Sequence, residues 1–392
     1  MVLYGLGTTI GAGIYALTGE LAGTAGYFAP LSFLIASFIA TLTALSFAEL
    51  SSRFPRAAGA AIYVREGFHS KYISTLTGLL VCAAGLVSAA ALLNGFVGYF
   101  QLFFNYPDWL IISVMTLLLG LIAAWGISAS VSLAGLITLI EVGGLIMIIA
   151  VSHTALAEVP SRWMEFIPPF DFASWELIFL GSLLAFYAFI GFEDMVVVAE
   201  EVKDVQRNLP KAIIFTLAIT TVLYVLIMMT AVLALPPAEL ANSKAPLTYL
   251  FQHFTGNDGT IISIIGLLAI INGALIQIIM ASRVLYGLSS HQQLPKILSY
   301  VHPKTQTPLL ATLIASVTVL ILALIGHLSL LAESTAIIML IIFSMVNLSL
   351  IRVKIRDPNC EGATLFPLWV PIIGFILSLG FVSSTLIKLL LI

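Results

Sequence analysis

The sequence contains few charged residues and almost no cysteine. Only 9% of its 392 residues are charged, whereas 60% are hydrophobic, and the mean hydropathy is +1.11. A water-soluble domain cannot cover that much apolar surface, so the composition excludes one. The net charge of -3 and the dispersed basic residues give no footprint for a nucleic acid. The two cysteines, Cys82 and Cys360, exclude a disulfide framework. We therefore expect an all-α, polytopic membrane protein.

The sequence also lacks the patterns of an enzyme or a metal site. Its six histidines are scattered over different loops and helix ends, and no HExxH, GxSxG or CxxC pattern occurs. We therefore expect no catalytic residue, no metal and no cofactor.

Long apolar runs fill most of the chain. About 20 helical residues cross a bilayer, and by that measure there are eleven candidate spans, at residues 1–25, 28–50, 71–101, 108–127, 132–153, 174–202, 211–235, 259–289, 308–326, 330–351 and 367–391. The first, third, sixth and eighth are long enough to be tilted, broken or extended. No soluble domain fits between the spans, so residues 1–392 are predicted to form one transmembrane domain.

Lysine and arginine are distributed unequally between the two sides of these spans. If the amino terminus is cytoplasmic, Arg162, Lys244 and Lys388 lie outside and the other thirteen of the sixteen basic residues lie inside. The positive-inside rule therefore predicts a multi-pass protein of the plasma (inner) membrane with a cytoplasmic amino terminus.

Two spans carry glycines at matching positions. Gly11 and Gly13 lie in TTIGAGIY at 8–15, and Gly191 lies in FYAFIGFED at 186–194. Glycine weakens a helix interior by about 1 kcal/mol relative to alanine, and freed backbone at membrane depth is tolerated only inside protein or beside a wet cavity. Close packing of small residues explains each glycine singly, but two matching breaks favour a binding site.

Five spans in each half place the second break in the opposite orientation to the first. This pattern predicts a 5+5 inverted repeat with discontinuous helices 1 and 6. The repeats cover about 1–155 and 172–355, and one further helix follows at 367–391. A half-helix that starts near Gly13 presents N–H groups to an anion, and carbonyls left at a break accept from a cation. Two facing breaks therefore predict a site for a zwitterion.

At these residues the chain resembles the amino acid-polyamine-organocation superfamily of permeases, which has the leucine-transporter fold. The resemblance covers nearly the whole chain and includes IGAGIY at 10–15, AELSSRFP at 48–55, FIGFE at 189–193, EEVK at 200–203 with RNLP at 207–210, and SRVLY at 282–286. One departure is the absence of the twelfth helix that many relatives have.

The resemblance implies an importer that moves amino acids by alternating access, without enzymatic activity. It implies that backbone N–H groups of Ala12 and Gly13 hold the substrate carboxylate, with Thr9 and Gly11 beside them. The amino group is expected to meet carbonyls at the second break, from Tyr187, Ala188 and Ile190, and Gly191 is expected to belong to the same site. Tyr187, Phe189 and Phe192 are candidates for an aromatic lid, and a lipid-facing position or core packing is the alternative for each.

Glu141 is the most deeply placed ionisable residue, since it lies in the middle of the fifth span. Such a carboxylate costs about 2.5 to 3.5 kcal/mol on insertion scales and indicates a function by default. In several proton-coupled relatives this region carries a lysine, so the glutamate departs from that mechanism. We predict that Glu141 binds and releases a coupling proton. The alternative is a permanently protonated glutamate that hydrogen-bonds to the first helix.

Sodium coupling is the main rival to proton coupling. Sodium prefers oxygen ligands, and in sodium-dependent members of this fold hydroxyls of the eighth helix supply them. Residues 266–281 contain no serine or threonine and offer only Asn272 and Gln277 as polar groups. This composition counts against sodium, although Glu141 remains a possible sodium ligand.

Charged residues at the cytoplasmic helix ends form a predicted gate. Its members are Glu49, Arg53, Glu200, Glu201, Lys203 and Arg207, and Tyr187 is the predicted gate within the site. Glu193 and Asp194, just after the second break, are expected to stabilise the start of a half-helix rather than to contact the substrate.

The substrate side chain is predicted to meet small or apolar residues of helices three, eight and ten, such as Gly85, Ser88, Ala89 and Ile276. Because no acidic residue is evident there, we expect a neutral amino acid. The alternatives are a sodium-coupled symporter, an amino acid/polyamine exchanger, a channel, and a sensor that binds amino acid without moving it. The expected partners are an amino acid, a proton and the lipid bilayer, with the protein a monomer or a homodimer.

Overall fold

Eleven long helices dominate the computed structural model, which describes residues 1–54, 59–126, 131–290, 292–358, 360 and 362–391. No strand occurs within these ranges. The helices are α1 Val2–Ala25, α2 Ala29–Arg53, α3 Lys71–Phe100, α4 Asp108–Trp125, α5 Val131–Val151, α6 Phe172–Tyr187, α7 Val205–Ala234, α8 Thr260–Ser290, α9 Leu309–Ile325, α10 Leu328–Arg356 and α11 Trp369–Leu391. Each predicted span overlaps one of them, so the all-α polytopic class is confirmed.

Short helices connect the long ones. The α-helical connections are Ala60–Phe68, His153–Ala157, Val159–Arg162, Pro237–Asn242 and Pro246–Thr255, and the three-ten connections are Gly26–Phe28, Trp163–Phe166, Phe192–Glu201 and Lys296–Ser299. None of these is long enough to form a soluble domain.

The helices have the length and composition that a bilayer requires. Eight described stretches are helical, long and apolar enough to cross it, and one of them, Gly13–Arg53, joins the second half of α1 to α2. Shorter apolar helices cover Val2–Gly11, Gly135–Val151 and Leu309–Ile325. The protein is therefore a multi-pass membrane protein.

The helix contacts repeat with an offset of five helices. Helix α1 packs against α5 and α7, and α6 packs against α10 and α2. When each helix is replaced by its counterpart five positions away, the contact of α4 with α8 becomes the contact of α9 with α3, which is also present. The same exchange leaves the contacts of α2 with α7 and of α3 with α8 unchanged. This pattern is what an inverted repeat produces, although the repeat itself stays a prediction. Helix α11 lies against α10 and α2, outside that pattern.

A buried cluster of charges joins α2 to α10 and to the segment before α11. The fully buried Glu49 accepts hydrogen bonds from Lys354 Nζ at 2.7 and 2.9 Å, from Arg53 Nε at 2.9 Å and from the Phe366 N–H at 2.9 Å. Arg53 also donates to the Asp357 carbonyl at 2.8 Å. Buried charges are tolerated when they are paired and hydrogen-bonded in this way.

The composition of this cluster differs from that of the predicted gate. Glu49 and Arg53 do pair, but their further partner is Lys354, which was not among the predicted gate residues. Lys203 is exposed and makes no ion pair within the described ranges. The side chain of Glu201 lies outside the described residues. Lys354 is missed because it is 305 residues from Glu49 in sequence.

We expect Glu49→Gln to lower the free energy of unfolding by about 3–5 kcal/mol, because it leaves the buried Lys354 without a counter-charge and Arg53 with only the exposed Asp357 carboxylate, 3.9 Å away. The matched control is Glu176→Gln, which removes an exposed pair with the same 2.7 Å distance to a lysine, Lys388, and is expected to cost about 1 kcal/mol or less. Thermal unfolding of the detergent-purified proteins measures both. Equal shifts for the two variants would contradict the structural role of the Glu49 cluster.

Candidate functional site

The structure has a break in the helix at each of the two predicted positions. Within α1, Gly11 has φ 9° and ψ -139°, which interrupts an otherwise helical stretch. Helix α6 ends at Tyr187, and the three-ten helix Phe192–Glu201 follows after a turn over residues 188–191. Gly191 in that turn has φ 124°, a conformation that side chains with a Cβ rarely adopt.

The two breaks lie against each other. A Cβ atom added at Gly13 would come within 2.9 Å of the Ala188 Cα, and one added at Gly191 would overlap the Thr8 carbonyl. Glycine is therefore required at both positions so that one backbone can approach the other. The two explanations of these glycines, close helix packing and a binding site, are therefore compatible, because the close contact joins the two breaks themselves.

Tyr224 of α7 connects both breaks through its hydroxyl group. The Tyr224 oxygen lies 3.0 Å from the Thr9 carbonyl, 3.2 Å from the Ile10 carbonyl and 3.0 Å from the Ala188 carbonyl. A phenol has one proton to donate, so these three acceptors share it. Sequence reasoning missed Tyr224, because a tyrosine in an apolar helix signals only that its hydroxyl needs some partner.

A small cavity lies where the breaks meet. Its space for solvent is about 40 Å³, enough for a few water molecules. It is lined by Gly7, Thr8, Thr9, Gly11, Gly13, Ser88, Leu92, Tyr187, Ala188, Ile190, Asp194, Gly273, Ile276 and Gln277. Most of the predicted site residues are in this set. Gly191 instead packs against Thr8 behind the lining, and the side chain of Ala12 lies outside the described residues.

Tyr187 crosses the cavity to α3. Its hydroxyl lies 3.0 Å from Ser88 Oγ and 3.3 Å from the Ser88 carbonyl. Phe189 and Phe192 do not line the cavity, since each packs edge-on or tilted against other rings, Phe189 with Phe33 and Phe192 with Phe47. Only the first of the three lid candidates therefore has a lid's position.

The cavity is closed at one end and partly open at the other. Thr9, Ser88, Leu92, Tyr187 and Ala188 are all buried. The partly exposed lining residues are Gly7 and Thr8 in the first half of α1, Ile190 and Asp194 around the start of the three-ten helix, and Gly273, Ile276 and Gln277 of α8. The cavity is therefore open where the first half of α1, the three-ten helix and α8 meet.

Glu141 lies on α5 behind the break in α1 and does not line the cavity. One turn before it, Thr138 touches Gly7, and one turn after it, Gly144 touches the Tyr15 hydroxyl. Glu141 is thus at the level of Gly11, midway between these contacts. The Tyr15 hydroxyl donates to the Glu141 carbonyl at 2.8 Å. The carboxylate is fully buried, and neither of its oxygens has a hydrogen-bond partner among the described residues.

The two acidic residues after the second break have different positions. Glu193 accepts the Gly191 N–H at 2.9 Å, which agrees with its predicted stabilising position. Asp194 lines the cavity. The expectation of a neutral substrate rested on the lack of an acidic residue in helices three, eight and ten. Asp194 belongs to the segment after α6, which that expectation did not consider. The cavity therefore does contain an acidic residue.

Sequence comparison places the chain among known transporters. The sequence profile described as "Amino acid permease" matches residues 2–388, and the chain belongs to that family. It is 28% identical to the branched-chain amino acid permease BcaP of Bacillus subtilis, over 94% of this chain and 83% of that protein. It is 27% identical to the methylthioribose transporter of Bacillus subtilis, over 96% and 84% of the two chains.

The chain is also similar to longer eukaryotic proteins. It is 27% identical to the mitochondrial cationic amino acid transporter 3 of Arabidopsis thaliana, over 92% of this chain but only 62% of that protein. These relatives are named as permeases and transporters, which agrees with the absence of enzyme motifs in the sequence.

We expect Tyr224→Phe to lower the free energy of unfolding by about 1–3 kcal/mol, because the three buried carbonyls that share the Tyr224 hydroxyl proton lose this donor. It should also weaken ligand binding, since the two breaks lose their common partner. Tyr72→Phe is the control, because Tyr72 is 90% exposed. Thermal unfolding with and without ligand measures both effects. Tyr224→Phe protein as stable as Tyr72→Phe protein would show that this hydroxyl does not hold the breaks together.

Proposed function

We propose that this permease is a secondary active transporter that imports an amino acid by alternating access and carries a proton with it. The single observation that supports this most is the contact between two broken helices around a cavity. Half-helix N–H groups near Gly13 suit a carboxylate, and the carbonyls of Tyr187, Ala188 and Ile190 suit an ammonium group. Each carbonyl has two lone pairs, so Ala188 keeps one beside its bond to Tyr224.

The proposed location is the plasma membrane with the amino terminus in the cytoplasm. Thirteen of sixteen basic residues then lie on the cytoplasmic side, in accord with the positive-inside rule. In this orientation the cavity opens inward, and Tyr187 with Ser88 closes its outer end. The proposed alternating motion therefore requires the Tyr187 contact to break when the site opens outward.

Glu141 is the proposed proton carrier. A fully buried carboxylate without a partner is stable only when it is neutral or when a cation meets it. Because Glu141 lies at the level of the α1 break, a movement of the first half of α1 changes its surroundings. Sodium is the less favoured ion, since the cavity residues from α8 are Gly273, Ile276 and Gln277, none with a hydroxyl group.

Reconstitution of the purified protein into proteoliposomes tests the function. Saturable counterflow of at least one of the twenty amino acids is expected, because a carrier exchanges labelled for unlabelled substrate. Binding without counterflow would indicate a sensor, and flux without saturable counterflow would indicate a channel. Either result would overturn the transporter proposal.

For coupling, we expect Glu141→Gln to abolish the stimulation of uptake by an inward proton gradient while counterflow at equal pH persists, because glutamine cannot carry a proton. Glu239→Gln is the control, since Glu239 is exposed. The proton role would be refuted if uptake by the Glu141→Gln protein depended on the pH gradient as strongly as uptake by the parent protein does. Uptake lost on replacement of sodium by choline would favour the sodium alternative.

A further inference from the structure

Asp194 is the one acidic or basic side chain among the cavity-lining residues of the described chain. It is half-buried, and its backbone N–H donates to the Gly191 carbonyl at 3.1 Å. Its carboxylate has no hydrogen-bond or ion-pair partner within the described ranges. The neighbouring Glu193 is different, because it accepts the Gly191 N–H. The cavity therefore contains one unmatched negative charge.

Within the described ranges, no basic residue of the cavity pairs with the Asp194 carboxylate. The lining residues contain no lysine, arginine or histidine. A half-buried carboxylate without a counter-charge is less favourable than a paired one, and a cation that arrives with a ligand pairs with it. The electrostatics of the cavity therefore favour a ligand that brings a positive charge to Asp194.

A second acceptor lies in the same cavity. Gln277 of α8 lines it, and the Gln277 Oε1 atom is buried without a hydrogen-bond partner among the described residues. A buried acceptor without a donor costs free energy until a donor reaches it. Gln277 and Asp194 thus both require N–H donors from a ligand or from water.

These acceptors are separate from the carbonyls of the second break. Asp194 follows Gly191 by three residues of three-ten helix, which is a rise of roughly 6 Å at about 2 Å per residue. The break carbonyls suit an α-ammonium group, so Asp194 is placed for a second cation several bonds away. The four-carbon stem of lysine spans such a separation.

We propose that Asp194 recognises the side-chain cation of the substrate, so that this permease prefers amino acids with an ammonium or guanidinium side chain to neutral ones. The inference rests on the proposed transport function and names the substrate class of the same site. It replaces the expectation of a neutral amino acid. Gln277 adds a neutral acceptor beside the charge.

Paired ligands test this on the parent protein in proteoliposomes. Lysine and norleucine have the same straight carbon chain and differ by the terminal ammonium group. Their competition against whichever labelled amino acid of the twenty gives the strongest counterflow therefore isolates the charge. We expect lysine to compete at roughly ten- to hundredfold lower concentration, the ratio that corresponds to a hydrogen bond to a charged group. Norleucine that competes as well as or better than lysine would overturn the proposal.

Asp194→Asn is expected to remove this preference, so that lysine and norleucine compete equally, whereas Asp194→Glu keeps it. The control is Asp204→Asn, which makes the same change at an exposed residue with φ 51°, a conformation that asparagine tolerates. A lysine preference that persists in Asp194→Asn protein would refute the role of Asp194.

The comparison of lysine with norleucine needs no variant, so it decides the question even if Asp194→Asn protein does not fold. Failure of the transport function has a different signature, since the parent would then show no saturable counterflow with any amino acid.

Discussion

The contact between the two helix breaks is the constraint on which the rest of this structure depends. A bilayer offers no water to backbone groups that leave a helix, so each break must find partners in the protein. Gly13 and Gly191 let the two backbones touch, and one hydroxyl, that of Tyr224, joins carbonyls from both. A small cavity lies where the two breaks meet. The zwitterion site that we propose there follows from how two broken helices are held against each other.

Four acidic residues of the described chain fall into two groups. Glu49 and Glu193 are matched, the first by two cations and the second by a backbone N–H. Glu141 is fully buried at the level of the α1 break, and neither of its carboxylate oxygens has a hydrogen-bond partner among the described residues. Asp194 is half-buried in the cavity, where it is the one charged residue among the described lining residues. Because an unmatched charge is unfavourable in a low-dielectric interior, these are the two residues that we propose for the coupling proton and for the substrate cation.

Sequence reasoning succeeded where one local property decides the outcome. The eleven helices followed from apolar length, and the breaks at Gly11 and Gly191 from glycines at matching positions. It left open or missed what depends on which residues meet across the fold. For Phe189 and Phe192 both a lid and packing were open, and the two rings pack against rings of α2. Glu49 pairs with Lys354 as well as with Arg53. Asp194 lies in the three-ten helix that follows the turn at Gly191, and it lines the cavity.

The sequence by itself determined that this chain is a helical membrane protein with two interrupted spans, because bilayer thickness sets helix length and glycine marks a weak helix interior. Its motifs alone indicated the permease family. Only the tertiary structure decided which polar groups are matched and which are not. Hydrogen-bond partners such as Tyr224 and the Ala188 carbonyl are remote in sequence, and a single turn of helix decides whether a carboxylate faces a neighbour or a cavity.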